Sequence, residues 1–186
     1  MRLIRPQRAP IFIGCEGQSE MGYAGWLRNL VRDRDLPVHL ELSDLGRGAG
    51  DPLTRIEMAI DRLTRLERNR EPFVGRFLFL DTDQLVGEPQ REEQSKRRAR
   101  DEEITIIWQE PTHEAFLLRH FPGRNTRRPP TKQAADTALA KEWPGYRKPC
   151  TAQNLEGRIA LDGARKVAGT LPELASLLRM VGLLEN

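Results

Sequence analysis

The sequence predicts an α/β fold: a parallel four-stranded sheet flanked by helices, continued by a helical C-terminal extension. Three observations predict it. Short apolar runs, Ile11 to Ile13, Phe77 to Leu80 and Ile104 to Trp108, are each followed by stretches of helical period, the alternation that winds a parallel sheet with helices on both faces. The runs are continuous, as in strands buried on both sides. Two of them break abruptly into carboxylates, at Glu16 and at Asp81 with Asp83, and strand ends are where open α/β sheets build their sites.

Element by element, residues 10–15 read as the first strand. Tyr23, Trp26, Leu27, Leu30 and Val31 then recur at helical spacing over 19–34. Pro37 to Leu42 alternates Val38, Leu40 and Leu42 with His39 and Glu41, a second strand. Gly46, Gly48 and Gly50 mark a loop. Leu53, Ile56, Ile60, Leu63 and Leu66 make the stripe of a second helix, and Phe77 to Leu80 a third strand. Residues 88–103 are almost wholly charged and read as an exposed helix or a mobile flap. Ile104 to Trp108 is a fourth strand, and Pro111 opens a helix carrying Ala115, Phe116, Leu118 and Phe121. After the break at Arg124 to Pro130 come helical stretches near 131–142, 152–168 and 171–182. With strands one and three as neighbours, in order 2-1-3-4, the switch point of the sheet lies between them.

At 186 residues the chain suits one domain with a small appendage, an α/β core over 10–123 and a basic loop with helices over 124–186. Hydrophobic content of 38% and a mean hydropathy of −0.59 fit a polar globule. Arg2, Arg5 and Arg8 precede an apolar run of only Ile11 to Ile13, too short for a signal peptide or a membrane span, so a cytoplasmic protein is expected. Cys15 and Cys150 give neither a disulfide framework nor zinc spacing, and Cys15, in an apolar strand, reads as a buried free thiol. Net charge is +3, and 25 of the 30 basic residues are Arg. Arg suits bidentate phosphate contacts, although a codon-biased genome also writes Arg for Lys.

The acids carry the chemistry. Two carboxylates about 4 Å apart repel by roughly 4 kcal/mol at an effective dielectric near 20. A protein keeps such a pair by protonating one, by supplying an Arg, or by binding a cation. Mg²⁺ accepts one or two carboxylates plus waters and substrate phosphate, so Asp81 and Asp83 with Glu16 form a candidate metal site. Glu16 serves there as ligand or as general acid/base. Gly17 allows a tight turn after it, and Glu20, in the first turn of the next helix, reads as complementing the helix dipole. Glu114 is either a supporting or metal-binding carboxylate or a cap after Pro111. His113 and His120 lack the i, i+4 spacing of a zinc protease.

A resemblance rests on these residues. Glu16-Gly17, Ser19-Glu20 and Tyr23, with a strand ending in Asp81-Thr82-Asp83, resemble the TOPRIM domain of topoisomerases, primases and OLD-type nucleases. More narrowly, Pro111, Glu114, Leu117, Leu118, His120 and Phe121, with Tyr146 and Lys148, resemble motifs of the RloB-like family of restriction and phage-defence loci. His113 and Phe116 depart from that family's pattern. The resemblance implies a TOPRIM-like fold and Mg²⁺- or Mn²⁺-dependent nucleic-acid cleavage, with Glu16, Asp81, Asp83 and Glu114 as catalytic acids and Glu16, Asp81 and Asp83 on the metal. It implies a nucleic-acid partner, DNA before RNA, and a companion ATPase or other defence subunit; self-association stays open.

Arg124, Arg127, Arg128, Lys132, Lys141, Arg147 and Lys148 follow the fourth helix, with Trp143 and Tyr146 interleaved. This is the best candidate surface for nucleic acid, through phosphate contacts and stacking. Arg127, Arg128, Lys132, Arg147 and Lys148 are its candidate contacts. The competing functions are a binding module that does not cut and a small-molecule phosphohydrolase. The latter fits least, because phosphatases using Asp-x-Asp carry it after the first strand.

Overall fold

A computed structural model describes residues 8–46 and 50–185. Strands β1 (Ala9–Cys15), β2 (Val38–Asp44), β3 (Gly75–Asp81) and β4 (Thr105–Gln109) form one sheet in the order β2-β1-β3-β4. All its pairings are parallel. This is the expected order, with β1 and β3 adjacent. Cys15 pairs with Asp44 on one side and Phe79 on the other, and Asp81 pairs with Gln109.

Period-two alternation assigns the strand side chains to two cores. Ile11, Ile13 and Cys15 of β1, with Phe77 and Phe79 of β3, face one side; Phe12, Leu78 and Leu80 face the other. Helix α2 (Pro52–Glu67) covers the second side with Ile56, Ala59 and Leu63, and α3 (Pro89–Asp101) joins it through Ala99. On the first side lie α1 (Gln18–Asp33) and α4 (His113–Leu118), then α5 (Lys132–Glu142), α6 (Ala152–Leu155), α7 (Leu161–Ala168) and α8 (Pro172–Met180). The C-terminal helices share this core: Leu139, Leu155, Val167, Leu174 and Leu178 belong to the same cluster as Tyr23 and Phe116. Each such side chain contributes roughly 1.5–3 kcal/mol on burial.

The charged stretch takes the helical of its two expected forms, and two further elements differ from expectation for local reasons. The charged stretch over 88–103 is a helix, and Arg98 ties it to α2 by pairing with Glu57 at 2.7 Å and to its own end through Glu102 at 2.6 Å. The long helix expected over 152–168 is two. Thr151 and Asn154 cap α6 reciprocally, and Gly157 then takes φ 75°, a left-handed conformation that ends the turn. The fourth helix stops at Leu118, although Phe121 still packs on the core. Of the loop glycines, Gly48 lies outside the described residues. Both cysteines are free and buried. Among the described residues no helix is long and apolar enough to cross a membrane.

One close approach shapes the functional end of the sheet. The segment before α6 runs against α1 at Gly22, where a Cβ would collide with the carbonyl of Cys150. Cys150 N also donates to Ser19 Oγ at 3.2 Å. This contact pins the chain around Lys148 and Pro149 beside the carboxyl ends of β1 and β3.

Candidate active site

The switch between β1 and β3 opens a pocket of about 400 Å³, lined by Ser19, Glu20, Asp81, His113, Glu114 and Lys148 among others. Glu16 leaves β1 and is tied to β3 twice. Its amide donates to Phe79 O at 3.2 Å, and its carboxylate accepts from Asp81 N at 2.8 Å through Oε2. Burial raises the Glu16 carboxyl above its ordinary range; the Asp81 amide opposes this, and Glu20 and Asp83 add to it.

Asp81 is the most perturbed carboxyl at this end of the sheet. Burial, then the charges of Glu20, Glu16, Asp83 and Glu114, push it up to about 9. Gln109, its partner on β4, bridges it to Glu20. With the amide turned so that both ends meet complementary groups, its nitrogen donates to Asp81 Oδ1 at 2.9 Å and Glu20 Oε1 at 3.2 Å. Its oxygen accepts from His113 Nδ1 at 2.7 Å. That hydrogen bond puts the proton of the neutral ring on Nδ1. Burial lowers the His113 pKa, so the ring stays neutral, and its buried Nε2 has no hydrogen-bond partner.

Glu114 sits across the pocket on α4 and is only 2% exposed. Burial would raise its carboxyl, but Lys148 Nζ at 2.8 Å and the Tyr146 hydroxyl at 2.9 Å together hold it below the ordinary range. Glu114 is therefore a compensated carboxylate, and Lys148 is its partner before it is a contact for anything else. Asp83 begins the 3-10 turn Asp83–Leu85 and faces Lys132 at 3.5 Å.

Behind the pocket, Tyr23 donates to His120 Nε2 at 2.9 Å, and His120 Nδ1 donates to Phe116 O at 3.0 Å. Burial pushes His120 down to about 3. It is a neutral core residue that braces α1 against α4.

The expected residues thus divide. Glu16, Asp81 and Glu114 come together at the strand ends, with Lys148 among them and Asp83 close enough to act on both Glu16 and Asp81. The basic contacts disperse. Arg128 pairs with Glu110 at 2.8 Å, Lys132 with Asp83, and Lys148 with Glu114. Arg127 lines a different pocket, and Arg147 is exposed.

Sequence reasoning gave Glu20, Gln109 and His113 no role in the site. Glu20 is 6% exposed, so it does not act as a solvated first-turn acid. A signal was present: Glu20 is three, four and seven positions before Tyr23, Ala24 and Leu27, all on the buried face of α1. Gln109 ends β4 in register with Asp81, a placement that strand order alone suggests. Nothing local in the sequence marks His113.

Among the described residues, no three His, Cys, Asp or Glu side chains form a ready-made metal cage. The ligand atoms around Asp81 are carboxylate oxygens, the hard ligands that Mg²⁺ and Mn²⁺ take with water completing the shell. Comparison with protein-family models, with curated proteins and with solved structures finds no match.

Proposed function

We propose that this chain is a divalent-cation-dependent phosphodiesterase that cleaves nucleic acid, built on a TOPRIM-like arrangement of its sheet. The observation that carries the reading is Asp81. It lies at the switch point, where burial and then the charges of Glu20, Glu16, Asp83 and Glu114 raise its carboxyl to about 9. A group so perturbed, in a crevice at strand ends, is a functional-site candidate on physical grounds. The resemblance of Glu16, Asp81 and Asp83 to TOPRIM acids, and of the segments around Glu114 and Lys148 to RloB-like motifs, points the same way.

When bound, Mg²⁺ or Mn²⁺ would supply charge neutralisation at the phosphate and an activated water. The oxygens of Asp81 and Glu20, held together by Gln109, would hold it. Asp83, at the rim, would complete the hydrated shell. Glu16 keeps one carboxylate oxygen free of the Asp81 amide, and burial raises its carboxyl above the ordinary range, in the direction that favours taking or returning a proton. Lys148, 48% exposed while paired with Glu114, presents positive charge where a phosphate would enter. A binding module that does not cut is the second reading. It is favoured by Lys132 and Lys148, each of which already holds a carboxylate of the site.

The test is a cleavage assay on supercoiled, linear and single-stranded substrates with Mg²⁺ or Mn²⁺. Cation-dependent cutting that disappears in Asp81→Asn and Glu20→Gln supports the phosphodiesterase. Binding that ignores the cation, with no cleavage, supports the module. Undiminished cleavage by Asp81→Asn overturns the assignment of the site.

A further inference from the structure

Helix α5 separates two pockets of opposite character. Lys132 and Asp136, one turn apart, lie on the side toward the acidic pocket, in contact with Asp83 at 3.5 Å and with Lys148, which lines it, at 3.9 Å. Ala135 and Leu139 are buried in the core. The opposite face, with Gln133, Thr137 and Lys141, lines a second pocket of about 590 Å³. Arg124 and Arg127, from the segment joining α4 to α5, line it as well.

This second pocket is positively charged. Arg124, Arg127 and Lys141 stand against the single carboxylate of Glu142, so three positive charges less one leave two. Arg124 is engaged with Glu142 at 2.7 Å. Among the described residues, Arg127 and Lys141 have no ion-pair partner. Thr131, Gln133 and Thr137 add neutral donors. The first turn of α5 opens at the same place. Thr131 takes the amides of Ala134 and Ala135 through its hydroxyl at 3.2 Å and its carbonyl at 2.9 Å. The amides of Lys132 and Gln133 stay outside the intrahelical ladder, at the positive end of the helix dipole.

We propose that this pocket binds a phosphate group, carried by a free nucleotide or by a nucleic-acid strand. Uncommitted guanidinium and ammonium groups, hydroxyl and amide donors and a helix start are the parts from which phosphate sites are assembled. The volume lies within the roughly 300–1,000 Å³ range of small-ligand sites, so there is room for a sugar or base beside the phosphate. The site needs no divalent cation, because its own side chains supply the charge. It does not depend on the acidic pocket being catalytic.

The experiment is calorimetric titration of the full chain in EDTA. The probes are ATP, inorganic pyrophosphate and a single-stranded oligonucleotide without a terminal phosphate. At least one probe is expected to bind, and Arg127→Ala combined with Lys141→Ala is expected to weaken it tenfold or more. Asp81→Asn is expected to leave it within twofold. Binding of ATP and pyrophosphate identifies a free nucleotide as the source of the phosphate, and binding of the oligonucleotide alone identifies a strand. Both substituted side chains are exposed, so the double variant should melt like the parent protein. The proposal is overturned if no probe binds the parent chain, or if the double variant binds as the parent does. Neither result bears on cation-dependent cleavage, which is measured separately.

Discussion

Asp81 and Glu114 line one pocket, and their surroundings drive them in opposite directions. Asp81 ends a strand with a neutral amide as its donor, and burial, followed by the charges of Glu20, Glu16 and Asp83, pushes it up to about 9. Glu114 is buried too, yet Lys148 and Tyr146 hold it below the ordinary carboxylate range. Burial alone therefore does not set the charge of this pocket; the partner does. The sheet gathers acids from strands and turns that bring no cation. The wall formed by α4 and the chain before α6 carries its own counter-charge. One half of the pocket is built to be stable as it stands, and the other holds charge that only a proton or a cation offsets.

Asp81→Asn should produce the largest effects, of opposite sign for cleavage and stability. Cleavage should fall by about a hundredfold or more, the scale at which removing a charged group from a metal-dependent site acts. Stability in EDTA should rise. Asp81 has a folded pKa above its unfolded value, so its contribution is full below about pH 4 and is lost as pH climbs toward 9. The substitution removes that loss and should gain about 2 kcal/mol at neutral pH, flattening the fall of melting temperature between pH 5 and 9. Added Mg²⁺ should raise the melting temperature of the parent chain and not that of the variant. A variant less stable than its parent at pH 8 would break the comparison from the Asp81 side.

Lys148→Ala tests the other half and should be milder. It leaves Glu114 buried with only the Tyr146 hydroxyl. Because Lys148 is half exposed, the loss should be about 1–2 kcal/mol rather than the full cost of breaking a buried pair. The pH response should run opposite to that of Asp81. Glu114 has a depressed pKa, so its stabilisation is present above the ordinary carboxylate range and is lost as pH falls through the folded value. In Lys148→Ala that stabilisation is largely gone, so this acid-side loss should shrink and the acid limb should become shallower. Melting curves from pH 3 to 7 would show it; an unchanged acid limb would mean that Glu114 is not held by Lys148.

The fold was legible because its signals are local or follow from order. Continuous apolar runs marked β1, β3 and β4, and alternation between helix and strand implied the parallel sheet. The order β2-β1-β3-β4 then brought Glu16 and Asp81 together, 65 positions apart. What stayed hidden depends on pairing across the fold. Glu20 looks like a solvated first-turn acid until its helix face is known. Lys148 looks like a free phosphate ligand until Gly22 lets its segment lie against α1. The row of basic residues over 124–148 looks like one patch, but the turns of α5 divide it. Lys132 meets Asp83 on one side, and Lys141 lines the basic pocket on the other. Sequence proximity does not carry that division, because it depends on what each side of the helix meets.

Tyr146→Phe isolates the smallest part of the contrast. The hydroxyl donates to the same Glu114 oxygen that Lys148 contacts. Removing it deletes one donor, keeps the ring against Trp143 at 5.2 Å between centroids, and leaves the ion pair in place. A single hydrogen bond to a charged group contributes about 1.5–3 kcal/mol, and the remaining ammonium recovers part of it, so a loss near 1 kcal/mol is expected. That corresponds to a fall in melting temperature of roughly 2–4 °C for a chain of this size. The double variant with Lys148→Ala decides how the carboxylate is held. If the two donors compensate for one another, the double variant should lose more than the sum of the singles, because only then does Glu114 stand buried and unsatisfied. Strict additivity would mean that each donor acts alone, and that the Glu114 side owes its stability to separate contacts rather than to a shared counter-charge.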